Sequence, residues 1–132
     1  MAPRVAVVAD DLIWSTRLRD QLVAAGALAL AARDRPALEA ALPAVDGAVV
    51  DMTARGYDAV EMIQLVARSG RRVIAVGQHD DREGRRRALS AGAERVFAYR
   101  QLSDAGARLL GDWLAAGPVA RPATGRGRED AG

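Results

Sequence analysis

The chain has 132 residues, half of them apolar, and a formal net charge of +2. That is one domain's length with enough apolar material for a core, which excludes wholesale disorder. It contains neither cysteine nor lysine, which excludes disulfides, thiolate metal sites, cysteine nucleophiles, Schiff-base chemistry and the phosphate-loop lysine.

Apolar periodicity alternates between two kinds of segment. Val5 to Ala9 is a short unbroken apolar run and reads as a strand. Asp10 to Gly26 reads as a helix with Trp14, Leu18, Leu22 and Ala25 on one face, closed by Gly26. Ala27 to Ala32 is a second apolar run, and Pro36 to Leu42 a short helix with proline in its first turn. Gly47 to Val50 is a third run and ends at Asp51. Asp58 to Ser69 is helical, with Ala59, Val60, Ile63, Val66 and Ala67 on one side, and Gly70 stops it. Arg72 to Val76 is a fourth strand. Arg82 to Ala91 is a helix weakened by Gly84, which costs about 1 kcal/mol relative to alanine. Arg95 to Ala98 is a fifth strand, and Ser103 is the expected N-cap of a last helix carrying Leu109, Leu110, Trp113 and Leu114. Strands that alternate with helices and read as continuous apolar runs predict a parallel sheet covered on both faces.

Residues 1–117 form the predicted domain. Residues 118–132 shift to Pro, Gly and Arg without periodicity and are expected to be a disordered tail. Met1 to Arg4 leads straight into a strand, so no signal peptide is expected. No apolar stretch approaches the roughly 20 residues of a membrane helix. The expected location is the cytoplasm, with no membrane partner.

In parallel sheets of this kind, ligands bind outside the carboxyl ends of the strands. Asp10 and Asp11 lie there after the first strand and Asp51 after the third. Taken singly, Asp10 and Asp11 also suit an ordinary helix N-terminus and Asp51 a loop. Together they repel one another and need a divalent cation, an arginine or a phosphoryl group to balance them. Independent enzyme signatures are missing: there is no phosphate loop, no Gly-x-Gly-x-x-Gly after a strand, no Gly-x-Ser-x-Gly and no His-Glu-x-x-His. The chain is therefore not expected to be an enzyme.

Residues 4 to 116 resemble the receiver domain of two-component response regulators. Val5-Ala6-Val7-Val8-Ala9-Asp10-Asp11 looks like the family's first strand and acidic turn. Ala48-Val49-Val50-Asp51-Met52 looks like its third strand and phospho-accepting aspartate. Asp58-Ala59-Val60-Glu61-Met62, Val73-Ile74-Ala75-Val76 and Ala88-Leu89-Ser90-Ala91-Gly92-Ala93 follow in the family's order and spacing. The resemblance implies a doubly wound, flavodoxin-like α/β fold with strand order 2-1-3-4-5. It also implies Mg²⁺ binding by the acidic pair and the phospho-aspartate, with a Ser/Thr and a Lys holding phosphoryl oxygens.

The sequence departs from that machinery. The Ser/Thr position falls on Gly77, the lysine position on Tyr99 and the following proline on Arg100. The switch aromatic falls on Val96, and the proline after the phospho-aspartate is Arg55. Counting back from Gly26 puts the acidic pair on Ala9 and Asp10; a one-residue shift restores it as Asp10 and Asp11. Arg100 or Arg55 could supply replacement charge at Asp51, although a guanidinium is not an ammonium. The expected function is an atypical receiver-like signalling module that acts by protein–protein interaction without phosphorylation. One alternative is a working phospho-receiver that accepts phosphate on Asp51. Another is a flavodoxin-like domain that binds a small anionic ligand. The expected cofactor is none, or weakly bound Mg²⁺ at Asp10, Asp11 and Asp51. Arg82, Arg85, Arg86 and Arg87 make the fourth helix basic, either a solvated face or a docking face for a kinase or effector, with a homodimer also open. Nucleic acid is not the expected partner, because aromatics for base stacking are nearly absent.

Overall fold

A computed structural model describes residues 2–117, which form five strands and five helices in alternation. The strands are β1 (Arg4–Val8), β2 (Leu28–Ala32), β3 (Gly47–Asp51), β4 (Arg72–Gly77) and β5 (Val96–Ala98). The helices are α1 (Leu12–Ala24), α2 (Arg35–Ala41), α3 (Ala59–Arg68), α4 (Arg82–Ala91) and α5 (Tyr99–Ala115). All strand pairs are parallel and the order is β2-β1-β3-β4-β5. This is the flavodoxin-like arrangement expected from the sequence. The expected tail at 118–132 lies outside the described residues. Among the described residues, no helix is long and apolar enough to cross a membrane.

Strand alternation divides the core in two. Val5, Val7, Val49, Ile74, Val76 and Phe97 point to one face and pack against Leu18, Leu22, Leu102, Leu110 and Trp113 of α1 and α5. Ala6, Val8, Ala48, Val50, Val73 and Ala75 point to the other, under Leu38, Met62, Ile63, Val66 and Ala88 of α2, α3 and α4. Burial on both faces is why these strands read as continuous apolar runs.

Aspartates fix where four of the helices begin. Asp11, Asp34, Asp58 and Asp81 each accept a hydrogen bond from a backbone N–H three residues on, at 2.9–3.1 Å. Each satisfies one of the amide groups that a first helical turn leaves unpaired. Gly26 and Gly70 follow α1 and α3 at φ +97° and +81°, a left-handed conformation that glycine adopts without strain.

The last helix corrects the sequence reading. It begins at Tyr99 and not at Ser103, because the Gln101 side chain accepts from the Ala98 N–H (2.8 Å) and supplies the start. Its backbone breaks at Ala105 (φ −141°, ψ 30°). There the Gln21 amide of α1 donates to the Leu102 carbonyl at 2.7 Å, the group that a continuous helix would bond to the Gly106 N–H. A Cβ at Gly106 would lie 2.3 Å from that amide, so a side chain there would push Gln21 off the Leu102 carbonyl.

Candidate functional site

The strand order reverses at β1, whose neighbours are β2 on one side and β3 on the other. A crevice at the carboxyl ends of β1 and β3 is the standard ligand position in such sheets. Asp51 ends β3 there and is 1% exposed. Its Oδ1 accepts from the Thr53 N–H (2.9 Å), the Thr53 hydroxyl (2.8 Å) and the Tyr99 hydroxyl. The Thr53 and Tyr99 oxygens are themselves 2.7 Å apart. Two hydroxyl protons thus serve three oxygen–oxygen contacts, so two of these contacts are hydrogen bonds at any moment.

Tyr57 closes the cluster from below. Its hydroxyl lies 2.7 Å from the Val8 carbonyl and 2.8 Å from the Asp51 carbonyl, so one proton bridges the ends of β1 and β3. Burial, then the negative charge of Asp51 and Asp10, holds the Tyr57 hydroxyl well above the usual phenol range. Burial, then the hydrogen bond to Asp51, does the same for Tyr99. Both remain protonated donors at neutral pH. The Tyr99 ring also packs on Trp14 of α1, with centroids 4.1 Å apart and planes tilted by 43°.

The other two acids are engaged separately. The Asp10 Oδ2 accepts from the Gly56 N–H (2.7 Å) and the Arg55 N–H (3.1 Å) in the loop after β3. Asp11 caps α1 through the Trp14 N–H (3.0 Å). Val8 pairs with Val50, so Ala9 is the residue level with Asp51. That register agrees with the count that puts the family's acidic pair on Ala9 and Asp10. Among the described residues no group of three or more acids or histidines is placed to hold a metal ion. A cation bound by three carboxylates does not fit this donor set.

The remaining predicted positions fall around this cluster. Gly77 ends β4, and a Cβ there would meet only the Met52 side chain at an ordinary 3.5 Å. Val96 is half-buried against the α2–α4 face, while its neighbour Phe97 is buried on the opposite one. Neither Arg55 nor Arg100 is ion-paired with Asp51. Arg55 contributes only its backbone N–H, and Arg100 lines a surface depression with His79, Arg85, Gln101 and Asp104. A direct arginine–Asp51 pair is therefore not how the site is arranged. A tyrosine takes that place, because Tyr99 leaves β5 and its side chain reaches past the end of β4 to Asp51 at the end of β3. Arg82, Arg85, Arg86 and Arg87 are all exposed. Arg86 pairs with Glu83, and Arg85 donates to the Val96 carbonyl of the edge strand at 3.0 Å.

Thr53 and Tyr57 are site residues that sequence reading passed over. A hydroxyl residue two positions after a buried aspartate was the available signal for Thr53, since such pairs commonly bond locally. An aromatic within a polar loop was the signal for Tyr57.

No protein-family model matches the sequence, and no curated protein matches it. Solved structures do. A response regulator from Thermotoga maritima superposes with a TM-score of 0.75 at 16% identity, over 87% of this chain and 99% of that one. The signal receiver domain of a modulated diguanylate cyclase from Desulfovibrio desulfuricans G20 gives 0.70 at 26% identity, over 87% and 94%. NtrX from Brucella abortus gives 0.70 at 20% identity, over 88% of this chain but 28% of NtrX. With its strand order, and with an aspartate buried at the end of β3, the chain has the receiver fold of response regulators.

Proposed function

We propose that this domain is a signalling module that works by protein–protein interaction and does not accept phosphate on Asp51. The observation that carries this reading is the occupation of the Asp51 Oδ1 by Thr53 and Tyr99. Phosphoryl transfer to a carboxylate brings negative charge to a negative group, and catalysis consists largely of positioning and neutralising that charge. Here the lysine position holds a neutral phenol. Its raised pKa keeps the proton on, so it donates a hydrogen bond and supplies no positive charge. Gly77 has no hydroxyl to meet a phosphoryl oxygen. The family's chemistry would add Mg²⁺ at the acids, but a three-carboxylate site does not fit this donor set.

The partner surface is the exposed arginine face of α4, suited to an acidic surface on a kinase or effector. One of its arginines, Arg85, covers a carbonyl of the edge strand β5, while Arg86 and Arg87 border α3 beside Val60 and Gln64.

Amide NMR spectra with Mg²⁺, before and after beryllofluoride, test the reading, with Asp51→Asn as control. The expected result is no change around Thr53, Gly77 and Tyr99. Shifts that spread from Asp51 and vanish in Asp51→Asn would replace this reading with a working phospho-receiver.

A further inference from the structure

A second crevice opens at the same end of the sheet, on the β2 side of β1. It encloses about 320 Å³ and is lined by Ala9, Asp10, Asp11, Leu12, Ser15, Arg19, Ala31 and Arg33. The sequence explains why it exists. Ala31 pairs with Val7 and lies on the α1 side of the sheet. With Ala9 it gives a floor of small side chains where larger ones would fill the gap beneath α1. Ser15 and Arg19 are four residues apart on α1 and so share a face. Arg33 follows the last residue of β2, which pairs with Val8, so it stands level with Ala9.

The polar groups here are unequal. Asp10 and Asp11 already accept hydrogen bonds from the loop after β3 and from the first turn of α1. Ser15 is 5% exposed and lines the crevice, yet its hydroxyl has no hydrogen-bond partner among the described residues. Neither Arg19 nor Arg33 has an ion pair among them. A hydroxyl open to the crevice and two exposed guanidiniums without ion pairs form a donor set with no acceptor from the described residues. Guanidinium groups stay charged at all physiological pH values and bind oxyanions in forked geometry.

We infer that this crevice is a binding site for a small oxyanion, the phosphate or carboxylate head of a metabolite, held by Ser15, Arg19 and Arg33. It is distinct from the Asp51 cluster and does not depend on how that cluster is read.

Amide and arginine side-chain NMR spectra of the full chain, titrated separately with inorganic phosphate and with succinate at constant pH, test it. Sodium chloride at matched ionic strength is the control. Saturable shifts at Ser15, Arg19 and Arg33 are expected with at least one of the two anions, and the one that binds identifies the head group. They should persist in Asp51→Asn. Arg19→Gln and Arg33→Gln should each weaken binding by about tenfold or more. Ala31→Leu, which fills the crevice and removes no charge, should abolish it while the rest of the spectrum stays folded. Shifts that do not saturate, that chloride reproduces, that survive both arginine variants or that vanish in Asp51→Asn would each overturn the assignment.

Discussion

The two crevices at the carboxyl edge of the sheet share Asp10 and little else. Around Asp51, Thr53, Tyr57 and Tyr99 direct their donors at acceptors within the protein. Around Ser15, a hydroxyl open to the crevice and two exposed guanidiniums have no partner among the described residues. An incoming group gains most where it satisfies donors that the fold leaves unpaired, and least where it must first break an internal network. Likeness of fold points to the first crevice, whereas hydrogen-bond accounting points to the second. The protein's own side chains engage one carboxylate oxygen of Asp51, while the neighbouring gap leaves its donors unengaged.

Alkaline pH should strain the Asp51 cluster most. The chain has two tyrosines, both in the Asp51 cluster, and no lysine, so few other groups titrate in that range. Both phenols are held above their ordinary value. Above about pH 10 the unfolded chain therefore releases protons that the folded chain keeps. This stabilisation is complete below that pH and is lost as pH rises further. The expected slope is up to about 1.4 kcal/mol per pH unit for each tyrosine, smaller for the less buried Tyr99. Urea denaturation across this range should give that slope, and the Tyr57→Phe, Tyr99→Phe double variant should flatten it. A slope that survives in the double variant would mean the phenols are not the groups involved.

At neutral pH, Tyr57→Phe should cost about 1–3 kcal/mol, because the proton bridging the Val8 and Asp51 carbonyls is lost. Tyr99→Phe should cost less, about 1 kcal/mol. Thr53 still donates to the Asp51 Oδ1, and a phenyl ring keeps the packing on Trp14. The same denaturation curves read both. Equal losses would mean that Tyr99 holds the cluster as firmly as Tyr57 does.

Much of the fold was legible in sequence, because the sheet is buried on both faces and its strands stand out as apolar runs. Helix α4 runs from Arg82 to Ala91, the span its pattern predicts. Helix α5 was misplaced because Ser103 looked like a cap, whereas Gln101 does the work from inside the first turn. Tyr99 could be found by counting from Gly92, but its role could not: a count gives the position and not the partner. Asp11 had two open readings in sequence, and the structure gives it the helix-capping role it shares with Asp34, Asp58 and Asp81. The Ser15 crevice was invisible, because it arises from the small size of Ala9 and Ala31 on segments far apart in sequence.

The smallest expected effect sharpens the contrast most. Ser15→Ala removes a hydroxyl from a residue as thoroughly enclosed as many core positions. Were that hydroxyl part of an internal network, its loss would cost on the scale of Tyr57→Phe. With no partner within the described residues, its removal should change stability by no more than about 0.5 kcal/mol. A loss near 2 kcal/mol in urea denaturation, a size typical of a buried polar group left unsatisfied, would show Ser15 bonded inside the protein. The two crevices would then be alike.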